Sequence, residues 1–432
     1  MGQKTRFSNL ADRQILLLAF LLSLTGRLMV ILILGQDQYL YEYGSIAQNL
    51  VAGNGFSMAM FPPATPVQDT CVMSPFYPYL LAGAYLLFGI NSTAIAAVQI
   101  VQSVVGAATI YPLFYLAKEY YSRNTAFLSV FIFTIHPDFL HWSYLIQQLT
   151  FTTFFVVCVV YMFDRLRKVP TVRTAIAAGI VAGIGLLVDA IIIAIIGLFV
   201  LWLLVGLLKQ WFRDDRSFSS DLRTKLVTLF IALLICMSII TPWTIRCLNV
   251  YDGQFVFMKA SGFNLWRGNN PNYTATGIPP WVNTEILTDL NLPNEGDIDS
   301  ALGQIAVAYM LSHPVETLVN VVRKLVDFWW FPQAFPEESP LERQLIYAPL
   351  LLLAIIAVIV DRTRVREIVP LLLPILAFSI LYSVVFVLAH HRIPIQPFLF
   401  ILSARGIECV WHRKENDSIF DESQSPKKRG IH

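Results

Sequence analysis

Charge is scarce in this sequence. Only 14% of its 432 residues are Asp, Glu, Lys or Arg, against 56% that are hydrophobic; a soluble domain carries about a quarter charged residues, so a cytosolic enzyme is excluded. Net charge is lacking too. The 31 Lys and Arg nearly balance the 29 Asp and Glu, which leaves no bulk attraction for a polyanion and excludes nucleic acid as the first partner to consider. Cysteine is sparse: Cys71, Cys158, Cys236, Cys247 and Cys409 are scattered, mostly inside apolar runs, with no CxxC pair and no His/Cys cluster of metal spacing. Neither a disulfide framework nor a zinc site can be read from them. Lys and Arg are missing altogether from 36–93, a stretch that keeps Asp37, Glu42 and Asp69.

What is present in abundance is apolar length. Runs near the roughly 20 residues that a bilayer core requires recur along the chain, the pattern of an all-α polytopic membrane protein. About ten spans are expected, near 14–35, 94–116, 124–137, 147–163, 174–188, 190–208, 225–241, 345–360, 368–389 and 395–411. The first follows Lys4, Arg6 and Arg13 but is too long for a signal h-region and has no A-x-A site after it, so it reads as an uncleaved span.

Orientation follows from the positive residues, which stay on the cytoplasmic side of neighbouring spans. Segments 1–13, 117–124, 164–173, 209–225, 361–366 and 412–432 hold 22 of the 31 Lys and Arg. These segments, and with them both termini, are expected inside, and the alternating loops outside. The parity requires that 75–90, apolar as it is, lies in the outer interface without crossing. Residues 41–52, aromatic at one end and polar on one face, read as a second interfacial helix. The chain thus divides into an N-terminal membrane module (1–242) with a first outer loop (36–93), a Pro-, Asn- and Gly-rich outer region (243–344) with one helix at 299–313, C-terminal spans (345–411) and a polar tail (412–432) expected to be disordered.

Several polar side chains fall on the outer side, and each has two readings. Asp37 and Glu42 stand at the entrance to an interfacial helix, where a carboxylate is favoured as a cap and where one could equally serve as a general base. Asp138, after Pro137, reads first as a helix cap. Arg392, in HHRIPIQP, either grips a phosphate bidentately or snorkels to the headgroups, and Arg246, in TPWTIRC, has the same two readings. His390 and His391 leave a divalent cation open as an option, without a third ligand nearby in sequence. Asp189 interrupts an apolar stretch and reads as a short outer turn between two spans. Arg27 and Arg405 lie inside spans, where each either snorkels or pairs with a carboxylate.

Four stretches together resemble the family 39 type of C-fold (GT-C) membrane glycosyltransferases, the superfamily of the protein O-mannosyltransferases and the lipid A aminoarabinose transferase. EYGSIAQNLVAGNGF at 42–56 resembles the first-loop helix, and SPFYPYLLAGAYLLFGINS at 74–92 the segment after it. TPWTIRCLNVYDGQFVFMKASGFNLWRGNNPNYTATG at 241–277 is similar to a "PWTIRN … NLW-GNNP-ATG" stretch, and HHRIPIQPFLFILSARGI at 390–407 to a "RYRLPI-P" ending. The likeness covers roughly 14–410.

The resemblance implies sugar transfer, with inversion, from a polyprenyl-phosphate-linked donor to a lipid, glycan or protein acceptor on the outer face of a bacterial inner membrane. It needs no certain cofactor. It implies a first-loop acid, Asp37 or Glu42, as general base, with Asp138 as the other catalytic candidate. The matching segments supply binding candidates at Tyr43, Tyr77, Gln148, Arg246, Asn264, Trp266, Asn269, Asn270, His390, His391 and Arg392. Positions depart from the family pattern: the expected first-loop acid maps onto Tyr39, a second acid onto Gln148, an Arg onto Asp189, and a basic residue near Met73 and Ser74. A lipid-linked sugar transporter and an inactive relative acting as a scaffold are the competing readings.

Overall fold

The computed structural model of the chain describes residues 2–35, 40–59, 66–213, 219–253, 260–271, 292, 294–330 and 341–424. Among these, the chain is helical apart from turns and one small ribbon. Helix α1 (Gly2–Leu34) is followed by α2 (Tyr41–Val51), and then by the antiparallel strands β1 (Ser57–Met58) and β2 (Gln68–Asp69), with Ser57 opposite Asp69. Next come α3 (Phe76–Phe88), α4 (Ser92–Ala108) and α5 (Ile110–Tyr120), the last two continuous enough to form one apolar stretch. Helices α6 (Arg123–Ile135), α7 (Pro137–His141), α8 (Leu149–Lys168), α9 (Val172–Val188), α10 (Ile192–Arg213) and α11 (Ser220–Val250) complete the N-terminal bundle. Beyond it lie α12 (Ser261–Gly268), α13 (Glu295–Ser312), α14 (Pro314–Trp329), α15 (Leu341–Val360), α16 (Val365–Val384) and α17 (Gln396–Gln424).

All ten apolar runs read from the sequence fall on helices. Seven stretches among the described residues are long and apolar enough to cross a bilayer, and one of them, Arg343–Val384, has 42 residues, close to twice the ~20 that one crossing needs. Helices α6 and α9, with 13 and 17 residues, are shorter than that. Leu18, Leu32 and Ile33 of α1, Ile193 and Leu201 of α10 and Phe230 of α11 stand bare on the outside of the bundle, as a lipid-facing surface requires. The chain is an integral, multi-pass membrane protein.

Local signals start the helices where they start. Asn91 caps α4 by accepting from Thr93 N–H, Ser122 caps α6, Ser219 caps α11, and Thr171 forms a reciprocal box with Thr174 at α9, each satisfying backbone donors that a first turn leaves open. Helix α9 then lies against α11 through small residues. A Cβ at Gly179 would come within 2.5 Å of the Ala232 carbonyl oxygen, so only glycine allows this approach.

The short α2 and α3 pack on each other, and α3 packs on α4. The outer region holds more helix than was read there. Helix α13 covers the expected 299–313, but α14 follows at a bend of 109° at His313. Its apolar Val315, Leu318, Val319 and Val322 are exposed together while Lys324 and Phe328 are buried, an amphipathic pattern present in PVETLVNVVRKLVDFW and overlooked among the Pro and Asn signals. At the C-terminus α17 runs on to Gln424, into the segment read as disordered.

One end of the bundle is closed by ion pairs. Asp12 meets Lys118 at 2.6 Å and Arg123 at 2.5 Å; Asp164 meets Arg167 at 2.7 Å and Lys168 at 2.8 Å; Arg405 meets Asp361 and Glu408, each at 3.1 Å. Arg405 therefore takes the second of its two expectations and pairs with carboxylates. Arg27 takes neither: buried, it donates to the Phe139 carbonyl and the Ser143 hydroxyl.

Candidate functional site

At the opposite end, α2 brings Glu42 to the surface in its first turn, exposed to solvent. The next residue faces the other way. Tyr43 is buried with its ring 5.0 Å from Tyr77, edge to face, and the Tyr77 hydroxyl donates to the side-chain Oε1 of Gln102. Gln102 in turn donates to the Ser143 and Leu145 carbonyl oxygens. Tyr43 and Tyr77 thus seat the two interfacial helices on α4 and the turn after α7, and Glu42 is held at the rim. Asp37 and Tyr39 lie outside the described residues.

Arg267, on α12, is the group whose charge registers that of Glu42. Its guanidinium lies 4.0 Å from the centroid of the Phe386 ring, with Phe263 further off at 5.7 Å. Burial pulls it down to about 10, and the negative charge of Glu42 opposes the shift. Among the described residues its Nε has no hydrogen-bond partner, and no carboxylate lies within ion-pair distance of it.

Behind Arg267 the backbone is clamped. A Cβ at Gly268 would sit 1.6 Å from the Val385 carbonyl oxygen, so glycine is required for α12 to approach the end of α16. Lys324, fully buried, donates to the carbonyls of Gly268 (3.1 Å), Val384 (2.9 Å) and Val385 (3.0 Å) and to the Asn269 side chain (3.1 Å). Asn269 also donates to the Leu265 and Val384 carbonyls, and Asn270 donates to the Trp266 carbonyl. Trp266 is core, packed with Phe263, Ile298 and Leu302, while Asn264 is half-buried on α12. These residues hold α12 in place.

The HHRIPIQP turn forms a 3-10 segment, Ala389–Ile395, beside them. His391 stacks on Tyr382 at 4.0 Å, stands edge-on to Phe386, and accepts the Leu388 N–H at Nδ1. His390 lies 5.0 Å from Trp142. Among the described residues no three His, Cys, Asp or Glu side chains converge, and an Nδ1 already accepting a backbone N–H has no lone pair for an ion. The pair does not fit the divalent cation left open by the sequence.

Arg392 points elsewhere. It is 4% exposed, donates to the Phe328 carbonyl at 3.0 Å, and lies 4.3 Å from the Tyr347 ring centroid. Asp138 is nearby and equally enclosed, accepting from Gln396 at 3.3 Å with the Arg343 Nε at 3.5 Å. Asp189 sits in the expected turn between α9 and α10, accepting from the Thr152 hydroxyl at 2.9 Å and the Ile191 N–H at 3.2 Å. Burial pushes its carboxyl up to about 6, and the Gln148 side chain is among the donors that oppose the shift.

Arg246, on α11, is fixed by the first loop. It donates to the Thr70 and Phe56 carbonyls and to the Cys71 sulfur, stands 3.5 Å from Asp69, and lies between the Phe56 and Trp243 rings. Below it an apolar groove of about 590 Å³ opens between α3 and α11, lined by Phe76, Tyr79, Leu80, Ile239 and Trp243. The structure therefore brings together Glu42, the α12 residues and His391, and keeps Asp138 with Arg392, and Arg246 with Asp69, in separate clusters. Arg267, Lys324 and Arg343 were not among the sequence candidates. They lie in 243–344, which the sequence reading placed outside, where the loop-charge bias disfavours basic residues.

A family model described as dolichyl-phosphate-mannose-protein mannosyltransferase matches residues 72–245, from just before α3 to near the end of α11. Archaeal oligosaccharyltransferase AglB from Archaeoglobus fulgidus, in complex with an inhibitory peptide and a dolichol-phosphate, superposes over 99% of this chain and 53% of its own, with a TM-score of 0.56 and 14% identity. The chain has the GT-C fold. The apo form of the Archaeoglobus fulgidus oligosaccharyltransferase gives the same TM-score of 0.56 at 15% identity, over 97% of this chain and 52% of that one. The chain thus spans about half the length of the GT-C oligosaccharyltransferases it matches. ArnT from Cupriavidus metallidurans aligns over 92% of this chain and 78% of its own at 15% identity, with a TM-score of 0.39. No curated protein matches the sequence.

Proposed function

We propose that this chain is a membrane glycosyltransferase that moves a sugar, with inversion, from a polyprenyl-phosphate-linked donor to a hydroxyl of a lipid, glycan or protein acceptor. The reaction takes place on the extracytoplasmic face of a bacterial inner membrane, with both termini in the cytoplasm. What supports this reading is an electrostatic link: Glu42 is an exposed carboxylate in the first turn of α2, and its negative charge favours the charged form of Arg267, whose guanidinium rests on the Phe386 ring. Glu42 takes the acceptor proton as the hydroxyl attacks the anomeric carbon. Arg267 meets the charge that develops on the departing lipid phosphate, in a setting where water is partly excluded. The match to a mannosyltransferase family model and the dolichol-phosphate in the AglB complex support a lipid-phosphate donor.

The test is sugar transfer from a panel of radiolabelled polyprenyl-phosphate monosaccharides to a crude membrane acceptor fraction, with the protein in native-like lipid. Wild type is expected to transfer from at least one donor. Glu42→Gln is expected to lose about 100-fold or more, the usual worth of a positioned base, and Asp37→Asn to lose less. Donor binding without transfer by wild type would favour the inactive relative, a reading that Gln148 and Asp189, standing where the family pattern has an acid and an Arg, already motivate.

A further inference from the structure

Two of the five cysteines, far apart in sequence, meet in the fold. Cys71 follows β2 in the first outer loop and Cys247 lies near the end of α11; both are fully buried in one small apolar cluster with Ile46, Phe56, Met58, Trp243 and Tyr251. Both are thiols here, and the nearby Cys71 thiol, with burial, pushes the Cys247 thiol up. Their surroundings fix both partners. The Cys71 N–H donates to the Tyr251 hydroxyl at 2.9 Å, and Arg246, the residue before Cys247, donates to the Cys71 sulfur at 3.0 Å.

We propose that Cys71 and Cys247 are joined in a disulfide that staples the first outer loop, and with it the Glu42-bearing α2, to α11. The inference rests on the outward placement of this loop in the proposed function, since an oxidising compartment is where such a bond persists. The oxidant is by class a protein or small-molecule disulfide of that compartment. The thiolate of one cysteine attacks it, expelling one oxidant sulfur as a thiolate and leaving a mixed disulfide. The second cysteine, losing its proton, attacks the protein sulfur of that mixed disulfide and expels the other oxidant sulfur. Two protons and two electrons leave the pair, and the oxidant is reduced to two thiols. The Arg246 guanidinium can meet negative charge that develops on the Cys71 sulfur during this exchange. The bond closes as the loop docks, before both sulfurs are covered.

The full chain is expressed in a cell with an oxidising envelope, denatured in N-ethylmaleimide, digested without reductant and analysed by mass spectrometry. The expected result is a peptide pair joined through Cys71 and Cys247, two hydrogen atoms lighter than the separate thiols, in the majority of molecules, with maleimide on Cys158, Cys236 and Cys409. Maleimide on both Cys71 and Cys247 overturns the proposal. A companion variant, Val67→Cys in a Cys71→Ser/Cys247→Ser background, reports the side of the loop, because Val67 is exposed. Labelling of intact cells by an impermeant maleimide at that position, with no bridge in the wild type, would defeat the disulfide alone. Labelling only after permeabilisation would defeat the outward placement and the disulfide together.

Discussion

At the end of the bundle where Asp12, Asp164 and Asp361 lie, each carboxylate meets a cation within 3.1 Å. At the end where α2, α12 and the Ala389–Ile395 segment meet, Arg267 rests on the Phe386 ring and Lys324 donates to the carbonyls of Gly268, Val384 and Val385. The first arrangement cancels charge and locks helices together. In the second, the Arg267 guanidinium rests on a ring face with no carboxylate among the described residues within ion-pair distance, and Lys324 is engaged by carbonyl dipoles. On the proposed function, Arg267 is the charge left to meet an anionic lipid phosphate.

The comparison can be broken at either end. Arg267→Met should give the largest effect, lowering transfer by about 100-fold or more, the worth of one donor at a developing charge, in the radiolabelled-donor assay. Lys324→Met comes next. It leaves several buried acceptors without their donor and should cost about 2–4 kcal/mol, read as a lower midpoint of thermal unfolding in lipid.

Asp189 gives a smaller effect with a defined sign. Its carboxyl is raised in the fold from 3.8 to about 6, so folding favours the protonated form. The stability this contributes is complete below 3.8 and is lost as pH rises through about 6. The unfolding midpoint should therefore fall across that window in the wild type. In Asp189→Asn, which mimics the protonated form, that fall should be absent and stability at neutral pH higher by about 1–3 kcal/mol. Asp12→Asn should do least. Lys118 and Arg123 are each about a third or more exposed and can turn to water, so the cost is about 1 kcal/mol, with transfer unchanged.

Most of the helical frame was legible, because bilayer thickness imposes a length that apolar runs display directly. The parity of the basic loops set 75–90 apart from the spans, and α3 is shorter than the long apolar helices. Helix α14 was hidden because its amphipathic stripe lies in a segment dominated by turn signals. The site was legible only in part. Glu42 was a candidate from its place at the entrance to α2, whereas the contact of Arg267 with Phe386, more than a hundred residues away, and that of Lys324 at Gly268 left no trace in the sequence. The direction of Arg392 could not be read either, because sequence gives a side chain's location along the chain; the Phe328 carbonyl and the Tyr347 ring give its orientation. Cys71 and Cys247 escaped for the same reason, since their spacing in sequence carries no trace of their contact.

The most direct test of the proposed pairing of Glu42 and Arg267 in one reaction is single-turnover sugar transfer by wild type, Glu42→Gln, Arg267→Met and the double variant, each saturated with the donor that wild type uses. The predicted result is that each single change lowers transfer by about 100-fold or more while the double variant loses less than the product of the two, because both act on one reacting centre. Transfer by Glu42→Gln at the wild-type rate would contradict it.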